Sequence, residues 1–351
     1  MFCLNFTRRG VRAVASVTST IAVPYSNLFH RNAKMVWSHD SSGVRYSMGD
    51  AYREWFKKFK IERISEPRES IETILSHVLA KDYRHLCHQE HPLTEEQIEL
   101  LKKLCECRLA RMPLQYIIGE WQFRQLNLTL SPPVFIPRPE TENLVDLILE
   151  RLSKRSGLVN VLEVGCGSGA ISLALAHESS KVMCTAIDQC DLACSVARKN
   201  ASSLNLNDRV KIWWAKLTDD GEITSCISTC KLDDELPKKF DMVVSNPPYV
   251  PNRDLFHLQP EILLYEDLKA LDGGKDGLKI ILPLIKFSST VLDSSPVDGG
   301  EGVLFIEVDS SHPALLQKWF CDEENSKFQL QFKSVHLDLF GKERFVEIVK
   351  I

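Results

Sequence analysis

The chain has 351 residues, long enough for two domains, with 44% hydrophobic residues, 26% charged residues and a net charge of −4, the composition of a soluble globular protein. No apolar run approaches the roughly 18–20 residues that a membrane span needs. The eleven cysteines fall at spacings such as Cys105-Glu106-Cys107 and Cys190 to Cys194, which match neither a zinc pattern nor a CxxC pair, so they read as reduced thiols and no metal is expected.

Residues 1–39 stand apart. They carry Arg8, Arg9, Arg12, Arg31 and Lys34 among Ser, Thr and Ala, and the first acid of the chain is Asp40. This composition, without a continuous apolar core, is that of an organellar transit peptide; the alternative is a basic tail. Losing these five takes the basic residues from 43 to 38 against 47 acidic ones, and the net charge from −4 to −9. That balance disfavours a general nucleic-acid binder.

Over 48–112 the pattern is helical. Trp55, Phe56 and Phe59 share a face, Ile71, Ile74, Leu75, Val78 and Leu79 recur at three and four, and Ile98, Leu101, Leu104 and Leu109 do the same. Thr94 and Gln97 form a capping box at the start of the last helix. His85, His88 and His91 cluster without Cys or carboxylate partners at ligand spacing and read as a solvated loop. The region predicts a small helical bundle suited to recognising a partner. Over 113–133 the period shifts to two, and 116–123 and 126–130 read as a connecting hairpin. In Phe135-Ile136-Pro137-Arg138-Pro139-Glu140-Thr141-Glu142 the prolines delay the next helix to Thr141 as its cap, and the stiff segment is expected to lie over a site. Arg138 and Glu140 are free there for positioning, unless they form a local ion pair.

From Val159 strands alternate with helices, the signature of a parallel sheet. Asn160–Val164, Val182–Ile187, Val210–Trp214, Phe240–Ser245 and Val303–Val308 are its strands. Two closely spaced terminal strands, Gln331–Leu337 and Arg344–Val349, must pair antiparallel. The first strand runs into Gly165-Cys166-Gly167-Ser168-Gly169 and a helix, so a ligand can approach bare backbone and free N–H groups. The second ends in Asp188, 19 positions after Gly169, placed to bind both hydroxyls of a ribose. These features suit a nicotinamide dinucleotide as well as S-adenosylmethionine.

The fourth strand separates the two. It ends in Asn246-Pro247-Pro248-Tyr249, a stiff loop offering carbonyl oxygens, an amide and an aromatic ring. In a doubly wound sheet the first and fourth strands are neighbours at the switch point, so the glycine loop and Asn246 face one crevice across 81 positions of sequence. A hydride transfer has no use for that loop; methyl transfer to an NH2 group does.

Glu163–Gly169, Asp188 and Asn246–Tyr249 resemble the class I methyltransferases of planar nitrogens. Phe135–Val145, Arg111–Gly119 and Ala270–Leu278 are similar to the PrmC/HemK family of peptide-chain release factor glutamine methyltransferases. The resemblance spans everything after the leader. It implies a class I, Rossmann-like α/β sheet over 134–351, with S-adenosylmethionine held by Gly165, Cys166, Gly167, Ser168, Gly169, Asp188, Leu217 and Asn246. The implied acceptor is the glutamine of the Gly-Gly-Gln loop of a release factor, bound by Asn246, Pro247, Pro248 and Tyr249. An amide nitrogen is a poor nucleophile because its lone pair is delocalised. Asn246 and the Pro247 carbonyl are therefore expected to orient it without a general base, while Tyr249 stacks on its plane. Lys216-Leu217 stands where the family has an acid near the adenine, and Glu266-Asp267 where it has Glu-Pro. The expected partner is a mitochondrial class I release factor in the matrix, met by a monomer that binds neither membrane nor nucleic acid. An adenine-N6 methyltransferase and a non-catalytic release-factor binder are the rival readings.

Overall fold

The computed structural model describes residues 46–81, 91–226, 237–293 and 300–351. The leader, His85 and His88 lie outside them. Residues 46–351 form one compact unit.

Three helices come first: α1 (Met48–Ile61), α2 (Pro67–Leu79) and α3 (Glu95–Leu109). Capping boxes open α1 (Ser47 with Asp50) and α3 (Thr94 with Gln97), each satisfying two backbone N–H groups that the helix cannot. Their apolar faces bury Trp55, Phe59, Ile71, Ile74, Leu75 and Leu101 in one cluster, completed from later in the chain by Tyr116, Leu130 and Ile136.

The predicted hairpin is shorter than expected. Residues 114–118 form a helical turn, α4 (Leu114–Ile118), started by Pro113 and ended by Gly119 at φ +80°. Leu114, Tyr116 and Ile117 drop into the helical cluster, a case of tertiary burial overriding a short run that suits strand or helix equally. Only β1 (Glu120–Phe123) and β2 (Leu126–Thr129) pair. The helix after the proline segment, α5 (Pro139–Ser153), begins two residues before the expected Thr141 cap. Pro139 takes the first helical position, where its missing N–H costs nothing, and Thr141 is released for another role.

The main sheet follows. Its strands are β3 (Val159–Val164), β4 (Val182–Asp188), β5 (Val210–Leu217), β6 (Ile223–Ser225), β7 (Met242–Ser245), β8 (Val303–Glu307), β9 (Leu330–Leu337) and β10 (Glu343–Lys350). Between them run α6 (Ala170–Glu178), α7 (Asp191–Ser203), α8 (Pro260–Tyr265), α9 (Ile281–Val291) and α10 (His312–Phe320). The order across the sheet is β6-β5-β4-β3-β7-β8-β10-β9. The five strands β5, β4, β3, β7 and β8 are parallel, and β10 runs antiparallel between β8 and β9. The terminal pair is thus antiparallel as expected, with the last strand on the inside. The short β6, antiparallel to β5, has no counterpart in the sequence reading.

Period-two alternation explains why the sheet is covered on both faces. Val159, Val161, Met242, Val244, Val303 and Phe305 point into one core with α5 and α6. Leu162, Val164, Val243, Leu304 and Ile306 point into the other with α9 and α10.

The helical region is tied to the sheet region through a buried cation. Arg108, 3% exposed, donates to Ser70 Oγ (3.0 Å), Met112 O (3.1 Å), Ser65 Oγ (2.8 Å) and Glu261 Oε1 (3.3 Å), the last on α8. Tyr265 at the end of α8 donates to Ala110 O. A buried ion pair is worth little over an apolar pair, but removing one partner strands the other. Glu261 would keep Ser65 Oγ at 3.2 Å and Arg111 at 3.9 Å, so Arg108→Met, which keeps the length and drops the charge, is expected to lower unfolding stability by about 1–3 kcal/mol in urea denaturation. An unchanged midpoint would show that Glu261 does not depend on it.

Candidate active site

The switch point lies between β3 and β7, where the chain stops building toward β5 and turns toward β8. The Ser245 hydroxyl donates to Val164 O at 2.6 Å, sealing the two strand ends just before their loops diverge. Into the space above open the glycine loop, the end of β4 and the loop after β7, around a cleft of about 320 Å³, the size of a small-molecule site.

Gly165 and Gly167 line this cleft with φ of +77° and +55°, values at which a side chain is strained. A Cβ at either would meet nothing within 4 Å, so both present bare backbone to open space. Cys166 and Ser168 line it too, and the buried Ser168 hydroxyl has no hydrogen-bond partner. Gly169 does not line it. A Cβ there would sit 3.2 Å from that of Ala197 and 3.0 Å from Leu173, so the third glycine serves the packing of α6 against α7 instead.

Asp188 lines the cleft with both oxygens engaged from behind: Gly167 N–H donates to Oδ2 (2.9 Å) and Cys190 N–H to Oδ1 (2.8 Å). Each oxygen keeps a lone pair for a hydroxyl. Burial pushes its pKa up, and the two backbone donors oppose the shift. Glu163 on β3 is 1% exposed and accepts from the Ser172 backbone and hydroxyl. Burial pushes it up to about 8, and none of the groups acting on it is a cation. Ala215, Lys216 and Leu217 at the end of β5, and Ile280, also line the cleft.

On the other side Asn246, Pro247 and Pro248 line the cleft. Asn246 Nδ2 donates to Thr141 Oγ1 at 3.1 Å. Thr141 Oγ1 donates to Glu307 Oε2 at 2.8 Å, and the Tyr249 hydroxyl donates to Oε1 of the same carboxylate at 3.3 Å. Tyr249 is not among the residues lining the cleft and packs against the core on the α9 side. Phe135 is the aromatic side chain that lines the cleft among the described residues. The loop's backbone is buttressed by the later glycines: Gly273 N–H donates to Val250 O, and a Cβ on Gly273 would lie 2.8 Å from the Tyr249 backbone.

The proline segment does lie over the site, with Phe135 and Pro137 in the lining. Its Arg138 is not free for positioning a ligand. It stacks on Phe135 and pairs at 2.6 Å with Glu266, whose other oxygen accepts from the Ile136 backbone. The local Arg138–Glu140 pair is thus replaced by one 128 residues distant. Asp267, Lys269 and Ala270 also line the cleft. Ala270 opens the Ala270–Leu278 stretch that resembles the family and Asp267 belongs to the Glu266-Asp267 departure, whereas no periodicity or motif marks Lys269.

A glycine loop open to approach, an orphaned serine hydroxyl and a carboxylate at the next strand end fit an adenosyl donor. On this fold they define a class I S-adenosylmethionine-dependent methyltransferase. Comparison with known proteins narrows the class. The profile of the PrmC N-terminal domain matches residues 50–119, and that of the methyltransferase small domain matches residues 132–274. The MTRF1L release factor glutamine methyltransferase of Homo sapiens is 40% identical over 304 residues, covering 84% of this chain and 85% of that protein. The release factor glutamine methyltransferase of Thermodesulfovibrio yellowstonii is 33% identical over 269 residues, covering 76% and 87%. That of Clostridium botulinum is 31% identical over 304 residues, covering 86% and 98%. This chain belongs to the release factor glutamine methyltransferase family.

Asp188→Ala is expected to weaken S-adenosylmethionine binding by about 1.5–3 kcal/mol, the loss of hydrogen bonds to a charged acceptor. Calorimetric titration of the full chain measures it, and unchanged affinity would remove Asp188 from the donor site.

Proposed function

We propose that this chain methylates the side-chain amide nitrogen of the glutamine in the Gly-Gly-Gln loop of a mitochondrial class I release factor. The observation that carries the reading is the orientation of Asn246. One N–H of its NH2 is given to Thr141, which holds the nitrogen on that side and leaves Oδ1 as an acceptor for the cleft together with the Pro247 carbonyl. Two acceptors side by side match the two N–H bonds of a primary carboxamide.

S-adenosylmethionine, when bound, supplies a methyl group made electrophilic by its sulfonium. Gly165, Cys166, Gly167 and Ser168 would hold it by close backbone approach, Asp188 through the ribose and Leu217 at the base. The rest is the chain's own work. Asn246 Oδ1 and the Pro247 carbonyl accept from the carboxamide, fix its plane and draw its lone pair out of conjugation. The same acceptors stabilise the positive charge that builds on nitrogen as it is alkylated. A carboxamide is far too weak an acid to lose a proton first near neutral pH, so the proton departs to solvent afterwards. Phe135 packs against the amide from the cleft, while Pro247 and Pro248 keep the loop from yielding and Tyr249 braces it through Glu307.

The helical region 48–112 is assigned to recognition of the release factor, since Arg108 and Tyr265 join it to α8, the next α-helix after the acceptor loop. Residues 1–39 are assigned to import into the mitochondrial matrix on their composition, and the enzyme is assigned as a monomer.

The test is mass spectrometry of a Gly-Gly-Gln release factor incubated with the full chain and labelled S-adenosylmethionine. One methyl on that glutamine is expected; label on other residues, or on a DNA duplex supplied in parallel, would contradict the assignment. Asn246→Ala is expected to lower kcat on the order of 10²-fold with donor affinity retained. Normal turnover by that variant would remove Asn246 from the mechanism.

A further inference from the structure

A primary carboxamide has two ends of nearly equal shape and opposite hydrogen-bonding character. Asn246 serves as an acceptor for a substrate NH2 only with oxygen toward the cleft; reversed, it sets donor against donor. Nothing in the Asn-Pro-Pro-Tyr loop itself chooses between the two. We propose that Thr141 and Glu307 are positioning residues that fix which end of the Asn246 amide faces the cleft, and so restrict the acceptor to a group that donates hydrogen bonds.

The choice follows from donor counting. A threonine hydroxyl both donates and accepts, so alone it would satisfy either orientation of Asn246. Its proton is committed to Glu307 Oε2 at 2.8 Å. A carboxylate only accepts, so Thr141 offers Asn246 only a lone pair, and Asn246 must answer with NH2 at 3.1 Å. The other carboxylate oxygen takes the Tyr249 hydroxyl at 3.3 Å. The chain of contacts therefore leaves the loop at Asn246 and returns to it at Tyr249, through the first turn of α5 and the last residue of β8. Glu307 is 1% exposed, so water does not compete for its lone pairs.

The relay works only while Glu307 is ionised. Protonated, it would donate to Thr141, freeing the threonine proton to turn toward Asn246 and stabilise the reversed amide. The groups facing Glu307 are Thr141 and Glu140 from α5, Tyr249 from the acceptor loop and Arg344 from β10. Burial raises its pKa most, Glu140 adds to that, and Thr141, Arg344 and Tyr249 pull it back, leaving it at about 7. The ionised form dominates above that pH and is lost as pH falls through it, so wild-type turnover should show an acid limb near 7.

This inference rests on the reading of Asn246 as a carboxamide clamp and is tested on the same reaction, glutamine methylation of the release factor by the full chain. Thr141→Val keeps shape and removes the hydroxyl. It is expected to lower kcat ~10–100-fold, with S-adenosylmethionine affinity by calorimetry unchanged, while Thr141→Ser restores most of the turnover. Glu307→Gln, which removes the titrating carboxylate and can still turn its amide oxygen to Thr141, is expected to lose the acid limb. Wild-type kcat in Thr141→Val, or an acid limb that survives in Glu307→Gln, would overturn the relay. If Thr141→Val does not fold, the Glu307→Gln pH profile decides. The two failures separate: wild-type protein that leaves the glutamine unmethylated contradicts the acceptor assignment. Wild-type protein that methylates it beside an equally active Thr141→Val overturns the relay alone.

Discussion

Three registered pairs join β3 to β7, Val161 with Met242, Leu162 with Val243 and Glu163 with Val244, and the Ser245 hydroxyl closes the seam on Val164. Every functional statement depends on this short parallel contact. It places a loop that accepts a ligand's backbone approach beside one that offers hydrogen-bond acceptors, although 81 residues lie between Gly165 and Asn246. Parallel pairing at the point where the sheet reverses its direction of growth leaves both loops at the carboxyl edge, and the crevice is a consequence of topology. The buried, apolar faces of both strands lock the register, since a slip of one residue would turn Leu162 and Val243 into the wrong core.

Around that seam the protein buries acids, and their partners explain why it tolerates them. Glu307 is met by two hydroxyls, Glu266 by Arg138 and a backbone N–H, and Glu163 by Ser172 twice. A buried carboxylate without donors is costly, and with them it fixes geometry. Glu266 holds the proline segment down over the cleft, and Glu307 ties the acceptor loop to α5. Glu261 joins the helical region to the segment that follows that loop. Each acid fastens a different piece of backbone to the same site, which therefore rests on packed strands and helices instead of free loops.

The sequence was most legible where function is carried by a few adjacent residues. The glycine loop, Asp188 and the Asn-Pro-Pro-Tyr turn announce themselves because strand, turn and helix must follow one another within a dozen positions. The parallel strands were legible because burial on both faces writes a continuous apolar run. Residues 114–118 were not, because so short a run, Leu-Gln-Tyr-Ile-Ile, suits helix and strand alike and only the neighbouring helices decide. Thr141 is not the cap its sequence suggests, because Pro139 is itself a good helix start. What local pattern cannot carry is the partner far along the chain. The pairing of Arg138 with Glu266 and of Thr141 with Glu307, and the retreat of Tyr249 from the cleft, each depend on residues brought close only by the sheet.

The most direct test of the account is a crystal structure of the full chain with S-adenosylhomocysteine and a Gly-Gly-Gln peptide. The account predicts that the glutamine amide nitrogen lies about 3 Å from both Asn246 Oδ1 and the Pro247 carbonyl oxygen, with the Asn246 NH2 still on Thr141. A carboxamide seated away from those two acceptors, or an Asn246 that meets it with NH2, would contradict it.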